Sequence, residues 1–368
     1  MKAVNDNVRK TVQVAGLLDT SATPFVYGNR NRSNKSIHIA FLKVHKAGST
    51  MMQNLLFRFG LHHNLSIAIP RKRNYIYNTS TALPPLDSTR HDILACHTVY
   101  NRTMYYELVP EDAVRIAILR DPLDLIVSAA YYYRDVINVK YLKYLLTIPR
   151  GNFIHDIINH LEDYDNNLFS RMRNSMAEDF GFRYAVNTTD AKKVQEYLNV
   201  LAKEFPMVMV MERMDESLVL MKRLLNWSIA DVIYLQANAN PHKMPAFSGE
   251  ELAKFRNTSS VDYAIYDFFV KILDEKIKLG GTDLQSEVDY FRICLVKVKQ
   301  FCGGNYETNY LEFDASDWDG GFNITTDDCR LMKTEELDFI DELRKIYAAS
   351  YKKLFDFHCI FLESPFME

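Results

Sequence analysis

The chain has 368 residues, of which 48% are hydrophobic and 25% are charged, and its formal net charge is −3. These values are those of a globular protein that can bury one large core or two modest ones. A net charge this close to zero excludes a global basic field for nucleic acid or anionic membrane, so a polyanionic ligand requires a local basic site. The sequence contains no apolar run of the roughly 18 residues that a bilayer span requires.

The pattern along the chain predicts one domain over residues 36–368, preceded by a polar, flexible stem over residues 1–35. Short apolar runs predict strands at 36–44, 65–70, 91–96, 114–119 and 207–211. Helical spacing predicts helices at 51–59, 122–133, 215–225, 248–256, 261–278, 283–300 and 333–356. Strands that alternate with helices predict an α/β fold, a P-loop-NTPase-like parallel sheet flanked by helices, with a mainly helical C-terminal cap from about residue 245.

Glycosylation sequons and cysteines bear on the compartment. Average composition gives roughly three Asn-X-Ser/Thr sequons in such a chain, and the excess here favours a lumenal location. The sequons are at Asn31, Asn34, Asn64, Asn78, Asn101, Asn187, Asn226, Asn257 and Asn323. Among the five cysteines no C-x-x-C pair occurs, so a zinc site is disfavoured. Cys302 and Cys329 bracket a Gly-rich, acidic loop and are predicted to form a disulfide, whereas Cys96 lies in an apolar run and is predicted to be a buried thiol.

The segment Lys43-Val-His-Lys-Ala-Gly-Ser-Thr50 follows the first strand and opens the first helix. A helix N-terminus presents free N–H groups and partial positive charge, so phosphate or sulfate is the expected guest. Gly48 lets the backbone approach an anion, Ser49 and Thr50 add hydroxyl groups, and Lys46 adds a full charge. A Walker A loop needs G-x-x-x-x-G-K-[ST], so a magnesium-dependent NTPase is disfavoured. An ordinary strand–helix turn is the alternative.

A second anion site is predicted at Arg120-Asp-Pro-Leu-Asp-Leu-Ile-Val-Ser128. Arg120 ends a strand, on the rim where open α/β sheets bind ligands, and arginine suits forked contact with phosphate. Ser128, further along the helix, can reach the same group. Helix capping by Asp121 with Pro122 at the first helical position explains part of this pattern without a ligand. Two anion sites on one sheet edge suit a nucleotide phosphorylated at both ends, such as 3′-phosphoadenosine 5′-phosphosulfate (PAPS).

The two motifs together resemble those of Golgi sulfotransferases, and more closely those of the galactose 3-O-sulfotransferase family, which includes galactosylceramide sulfotransferases. The resemblance covers roughly residues 37 to 356, and residues 209–234 narrow it to the galactose-directed group. Matching text runs through Phe41–Thr50, Leu55–Gly60, Ile116–Pro122, Phe180–Phe182, Glu212–Leu220, Asp231–Tyr234 and Ser248–Leu252.

The resemblance implies transfer of a sulfuryl group from PAPS to a galactose hydroxyl of a glycolipid or glycan, with the 3-hydroxyl as the expected position. No metal is expected, because sulfuryl transfer from PAPS carries less charge than phosphoryl transfer from ATP and no carboxylate–Ser/Thr magnesium pair accompanies the loop. It implies that Arg120 and Ser128 hold the 3′-phosphate. The residues implied for the 5′-phosphosulfate are Lys46, Ala47, Gly48, Ser49 and Thr50. Ala47 stands where the family often has Thr or Ser. A type II protein of the Golgi lumen, with an N-terminal anchor not included in this chain, is also expected; no nucleic-acid partner is expected, and a homodimer is one option.

The chemistry needs a cation at the leaving phosphate and a base for the acceptor hydroxyl. Lys46 suits the first role, and histidine suits the second near neutral pH. His97 is the first choice for the base because it follows the predicted strand at 91–96, and His45, inside the loop, is the second. A capping or core role for His97 and a structural contact for His45 are the alternatives.

Acceptor contacts are less well defined by the sequence. Asn166, Arg171 and Asn174 lie on a stretch predicted to be a polar helix face, for which solvation is the simpler explanation. The basic run 71–73 could meet an anionic acceptor, although a surface charge run explains it too. A uronyl or heparan-type 2-O-sulfotransferase is the alternative enzyme, and a non-catalytic nucleotide- or glycan-binding protein is the alternative class.

Overall fold

The computed structural model describes residues 34–86, 89–137, 140–235, 244–304 and 308–362, with side chains as far as residue 352. The predicted stem over residues 1–35 lies almost entirely outside these ranges, so the stem and the domain division stay predictions. None of the helices in the described ranges combines the length and apolarity needed to cross a membrane.

Five parallel strands form one sheet, and nearly all of their residues are buried, as expected for a sheet covered on both faces. The strands are β1 Ile39–Leu42, β2 Ile67–Ala68, β3 Ile93–Leu94, β4 Val114–Leu119 and β5 Met207–Val210. Their order across the sheet is β2-β3-β1-β4-β5. The predicted parallel α/β fold is therefore confirmed, although β2 and β3 are shorter than predicted.

Helices flank this sheet and build the C-terminal part. They are α1 Ser49–His62, α2 Arg102–Leu108, α3 Pro122–Asp135, α4 Phe153–Tyr164, α5 Ser175–Asp179, α6 Phe182–Ala185, α7 Ala191–Glu204, α8 Met214–Leu225, α9 Ile229–Val232, α10 Gly249–Thr258, α11 Ser260–Gly303, α12 Thr326–Lys333 and α13 Glu336–Leu362. Short 3₁₀ turns occupy Thr79–Thr81, Lys140–Leu146, Arg150–Asn152 and Met211–Arg213.

The long helix α11 explains two separate helical predictions. Its backbone bends at Gly281, where φ is 58°, so the periodic segments predicted at 261–278 and 283–300 are two arms of one bent element. The second arm is held to α8 by a buried carboxylate. Glu287 accepts hydrogen bonds from Nζ of Lys222 at 3.0 Å and Nε of Arg223 at 2.6 Å, which leaves neither its charge nor theirs unpaired.

The predicted disulfide joins Cys302, at the end of α11, to Cys329 in α12. It encloses an antiparallel hairpin formed by β6 Tyr310–Phe313 and β7 Phe322–Thr325. Cys96 is fully buried as a free thiol, as predicted. The disulfide therefore fixes α12, which leads into α13, to the end of α11.

Two helical predictions are wrong in part. Residues 166–174 are irregular, because Asn174 adopts a positive φ of 48° and its side chain bonds the carbonyl of Leu168 and the N–H of Asp262. The helix predicted at 333–356 is present as α13, but it begins three residues later, at Glu336, because Lys333 ends α12 and the backbone at Thr334 is extended. Tertiary hydrogen bonds of Asn174 explain why residues 166–174 are not helical, and the extended backbone at Thr334 explains the late start of α13.

The sheet brings both predicted anion sites together. Strands β1 and β4 are neighbours, with Leu42 opposite Ala117, so the segments that follow them begin side by side. Asp121 caps α3 by accepting the N–H groups of Leu123 and Asp124, and Pro122 opens the helix as predicted. Strand β5 is the next neighbour of β4, and it places Met211 beside the same edge.

Loss of the disulfide should destabilise the fold. Its cysteines are separated by 27 positions, and a loop of that length contributes roughly 3 to 4 kcal/mol to the free energy of unfolding by chain entropy. Urea denaturation with and without reductant checks this in the wild type. The double variant Cys302→Ser/Cys329→Ser is the control, since it should match the reduced wild type and not respond to reductant. A reductant effect of equal size in that variant would contradict the prediction.

Candidate active site

A cleft of about 1170 Å³ opens at the carboxyl ends of β1 and β4. Of the site residues predicted from the sequence, all but Ala47 line it. Those residues are His45, Lys46, Gly48, Ser49, Thr50, His97, Arg120 and Ser128. Ala47 is fully buried, so its side chain belongs to the core and only its backbone is available to a ligand.

The backbone of the loop between β1 and α1 is bent by two left-handed residues. Lys46 has φ 59° and Gly48 has φ 72°. At Gly48 a Cβ atom would lie 2.3 Å from Sδ of Met211, so glycine is favoured by its conformation, and any larger residue would also displace the Met211 side chain. Nη1 of Arg120 donates to the carbonyl of Lys46 at 3.3 Å, which ties the second predicted anion site to the first.

Lys46 supplies a second ammonium group in this loop, besides that of Lys43. Its ammonium group lies 3.6 Å from the centre of the Tyr132 ring. Burial, Arg120 and Lys43 lower the pKa of Lys46 to about 8, against the opposing effect of Glu336. An anion placed beside Lys46 would favour its charged form, so this environment favours binding of a negatively charged ligand.

The two loop hydroxyl groups already have protein partners. Oγ of Ser49 donates to the carbonyl of Val44 at 2.6 Å, and Oγ1 of Thr50 lies 3.2 Å from a carboxylate oxygen of Glu336. Ser49 therefore shapes the turn, and Thr50 is the hydroxyl that faces the cleft.

Lys43 is a buried ammonium group to which the sequence had assigned no role. The residue is 1% exposed. Its Nζ lies 3.2 Å from Thr50 Oγ1, 3.2 Å from Nε2 of His97 and 3.0 Å from Oε2 of Glu336. An ammonium group has three N–H donors, and these three acceptors satisfy all of them.

The two histidines predicted as bases lie against each other. The rings of His45 and His97 stack with centroids 3.9 Å apart and planes 19° apart. Nδ1 of His97 donates to the carbonyl of Lys43 at 3.0 Å, so its Nε2 is the nitrogen that accepts from the Lys43 ammonium. Burial, His45 and Lys43 lower the pKa of His97 well below its usual value. Both nitrogens of His97 are thus engaged by one lysine.

His45 is held instead by a buried carboxylate. Nδ1 of His45 lies 2.9 and 2.8 Å from the two oxygens of Asp179, and the backbone N–H of His45 donates to Asp179 at 2.8 Å. Nη1 of Arg171 is 3.2 Å from Asp179 and 2.9 Å from the same Nδ1. The two short contacts to Asp179 favour the tautomer in which Nδ1–H donates to the carboxylate, while Arg171 donates to the same carboxylate; in that tautomer Nε2 carries the lone pair.

Burial and neighbouring cations favour the neutral form of the His45 ring. Burial, followed by Arg171, Lys43 and Lys46, lowers the pKa of His45 well below its usual value. Burial raises the pKa of Asp179 to about 6, although Arg171 and the His45 N–H favour its ionised form. A neutral imidazole with one free nitrogen and a carboxylate behind it is suited to accept a proton.

The other residues considered for contact with the acceptor differ in whether they line the cleft. Arg171 and Arg73 line the cleft, whereas Asn174 is buried in structural hydrogen bonds. Arg71 and Lys72 are exposed. Tyr75, which the sequence did not single out, stacks near both histidines, with ring centroids 6.3 Å from each.

Asp179 and Glu336 were also missed. Asp179 directly precedes the Phe180-Gly-Phe182 motif, which could have drawn attention to it. No comparable motif in the sequence marks Glu336. In the described part of the chain, no group of three or more His, Cys, Asp or Glu side chains is arranged to hold a metal ion.

Comparison with known proteins matches this chain to one family. The profile of the galactose-3-O-sulfotransferase family matches residues 7–310. Human galactosylceramide sulfotransferase is 28% identical over 295 residues, which cover 77% of this chain and 68% of that protein. Human galactose-3-O-sulfotransferase 2 is 27% identical over 290 residues, covering 75% and 71%. Mouse galactose-3-O-sulfotransferase 3 is 30% identical over 262 residues, covering 67% and 58%.

With its parallel sheet and basic cleft, the chain is a sulfotransferase, an enzyme that uses a sulfuryl donor. It belongs to the galactose-3-O-sulfotransferase family. The resemblance drawn from the sequence is therefore confirmed.

Substitution of Gly48 should damage the loop in a way that depends on Met211. Gly48→Ala should lower the free energy of unfolding by about 2 to 3 kcal/mol, from left-handed backbone strain and from the clash with Sδ. The clash part should disappear in a Met211→Ala background, so the same substitution should cost about 1 kcal/mol less there. Urea denaturation of the four proteins measures this coupling, and equal costs in both backgrounds would rule out the clash.

Proposed function

We propose that this enzyme transfers the sulfuryl group of PAPS to a galactose hydroxyl, at the 3-position, of a glycolipid or glycan. The observation that carries the proposal is that the Lys43–Thr50 loop and the Arg120–Ser128 segment open onto one cleft that also holds two histidines. Lys46 and Thr50 are the groups we assign to the 5′-phosphosulfate, and Arg120 with Ser128 to the 3′-phosphate. Galactose as the acceptor rests on family membership and on the names of the relatives.

The proposed reaction is in-line displacement at sulfur. The acceptor oxygen forms a bond to sulfur, the bond from sulfur to the phosphate oxygen breaks, and the acceptor proton passes to a base. Negative charge builds on the leaving phosphate, and the Lys46 ammonium is the group assigned to stabilise it. Burial, followed by Arg120 and Lys43, lowers the pKa of Lys46 to about 8, and an anionic donor beside it would favour its charged form.

We assign the base to His45 ahead of His97. A base needs a free nitrogen, and Nε2 of His97 faces the ammonium group of Lys43 at 3.2 Å. His45 has its Nδ1 against Asp179, so in the tautomer that donates to this carboxylate its Nε2 carries the lone pair that a base needs. His97 then acts through the stack, as a neutral ring that supports His45.

Asp179 and Arg171 are the positioning residues in this scheme. The Asp179 carboxylate fixes the tautomer and orientation of His45 and stabilises the imidazolium that forms when the proton arrives. Arg171, at 3.2 Å, favours the ionised form of Asp179 against the effect of burial. Neither residue needs to touch the substrate for this role.

The proposal includes a location in the Golgi lumen. The disulfide between Cys302 and Cys329 supports it, since disulfides persist in oxidising compartments. The sequons support it as well, and Asn64 and Asn187 are exposed in the structure.

Transfer of radiolabelled sulfate from PAPS to galactosylceramide, lactose, N-acetyllactosamine and desulfated heparan tests donor and acceptor together. We expect label on the galactosides, and a roughly 10²- to 10³-fold loss of kcat in Lys46→Ala, because a donor to the developing charge is removed. Lys72→Ala is the matched control, since that lysine is exposed and does not line the cleft. Label only on heparan, or an active Lys46→Ala variant, would contradict the proposal.

A double-mutant cycle tests the base and its positioning residue. Asp179→Asn should lower kcat by roughly 10²- to 10⁴-fold, with little change in KM for PAPS, because the His45 tautomer is lost. In a His45→Ala background it should cost nothing further. Wild-type kcat should fall as the pH drops below about 6, where Asp179 becomes protonated, and Asp179→Asn should lose that step.

A different outcome would return the role to the other histidine. If His97→Ala abolishes turnover while His45→Ala retains it, His97 is the base and Lys43 must move during catalysis. Equal, additive effects of Asp179→Asn in both backgrounds would make Asp179 a purely structural residue.

A further inference from the structure

Glu336 contacts the Lys43–Thr50 loop, called the donor loop below, and it lies outside the segment that the family profile matches. It is the first residue of α13, whereas the match ends at residue 310. Its Oε2 accepts from Nζ of Lys43 at 3.0 Å and from the hydroxyl of Thr50 at 3.2 Å, and its Oε1 accepts from Nδ2 of Asn74 at 2.9 Å. The side chain is 17% exposed and lines the cleft.

The partners of Glu336 favour its ionised, negatively charged form. Burial opposes its ionisation, but Lys43 and the hydrogen bonds from Asn74 and Thr50 hold its pKa below the usual value. An ionised carboxylate that accepts from an ammonium and a hydroxyl uses the same kinds of donor that hold a phosphate or sulfate oxygen. The donor loop is therefore already neutralised in part by the protein itself.

We propose that Glu336 competes with the phosphosulfate for Thr50 and Lys43, and that its side chain swings out of the loop when the donor binds. The inference rests on the proposed donor site. The Thr50 hydroxyl has one proton, so it can donate to Glu336 or to the donor but not fully to both. Two anions placed this close together would also repel each other.

The rest of α13 can stay in place during this exchange. Phe339, Ile340 and Leu343 are buried in the core one turn or more beyond Glu336. Further along, the Tyr347 hydroxyl donates to the carbonyl of Ile67 at 2.7 Å, and Nε of Arg344 donates to the carbonyl of Pro70 at 3.0 Å. Release is thus confined to one side chain at the end of a fixed helix.

Binding of adenosine 3′,5′-bisphosphate, the nucleotide left after sulfuryl transfer, tests the proposal by isothermal titration calorimetry. Glu336→Gln should bind it about 5- to 10-fold more tightly than the wild type, because the competing charge is gone while an acceptor for Lys43 remains. Glu335→Gln is the matched control: it removes the same charge from an exposed position on the same cleft wall and should change the affinity less than 2-fold, since exposed charges are screened.

The outcomes separate this inference from the proposed function. No binding by the wild type would overturn the donor site and the inference with it. Wild-type binding together with equal or weaker binding by Glu336→Gln would overturn the inference alone. If thermal unfolding shows that the Gln variant does not fold, Asn74→Ala answers the same question, because it frees the Glu336 carboxylate without removing a charge: tighter binding supports the competition and weaker or unchanged binding overturns it.

Discussion

The burial of the Lys43 ammonium group is the interaction on which the site depends. Lys43 is 1% exposed, and removing one partner of a buried charge costs several kcal/mol, so its hydrogen-bond partners matter to the stability of this region. Its three partners come from α1, from the segment after β3 and from the start of α13. One nitrogen atom therefore fixes three separate parts of the chain relative to one another, and the cleft lies where they meet.

The two lysines of the loop have different environments, and this difference separates structure from chemistry. Lys43 has every N–H group matched by an acceptor, so it has no capacity left for a ligand in this arrangement. Lys46 leans on the Tyr132 ring, and its pKa of about 8 reflects burial beside other cations. A lysine that lacks a full counter-charge gains most from an incoming anion. That is the property a donor site needs, and Lys46 has it at a left-handed position of the loop between β1 and α1.

The sequence predicted what depends on local patterns. The β4–α3 junction, with Asp121 as cap and Pro122 next, has a signal within a few residues, and it was confirmed. The strands were found because buried parallel strands are apolar runs. Asp179 and Glu336 could not be found in this way, since their contacts join residues 134 and 293 positions apart. The wrong helix over residues 166–174 has the same origin: the Asn174 hydrogen bond to Asp262 spans 88 positions and outweighs local preference. Which of two histidines is free likewise depends on such distant partners.

The stacked histidines impose a limit that strengthens the assignment of their roles. Two imidazolium rings 3.9 Å apart would repel by roughly 4 kcal/mol at an effective dielectric of 20, so simultaneous positive charge on both rings is disfavoured. His97 already accepts from the Lys43 ammonium, and a proton on its Nε2 would face that charge directly. His45 has a carboxylate behind it, with Arg171 favouring the ionised form of that carboxylate. In the assignment proposed above, the carboxylate beside His45 is what distinguishes it from His97 as the residue that takes the acceptor proton.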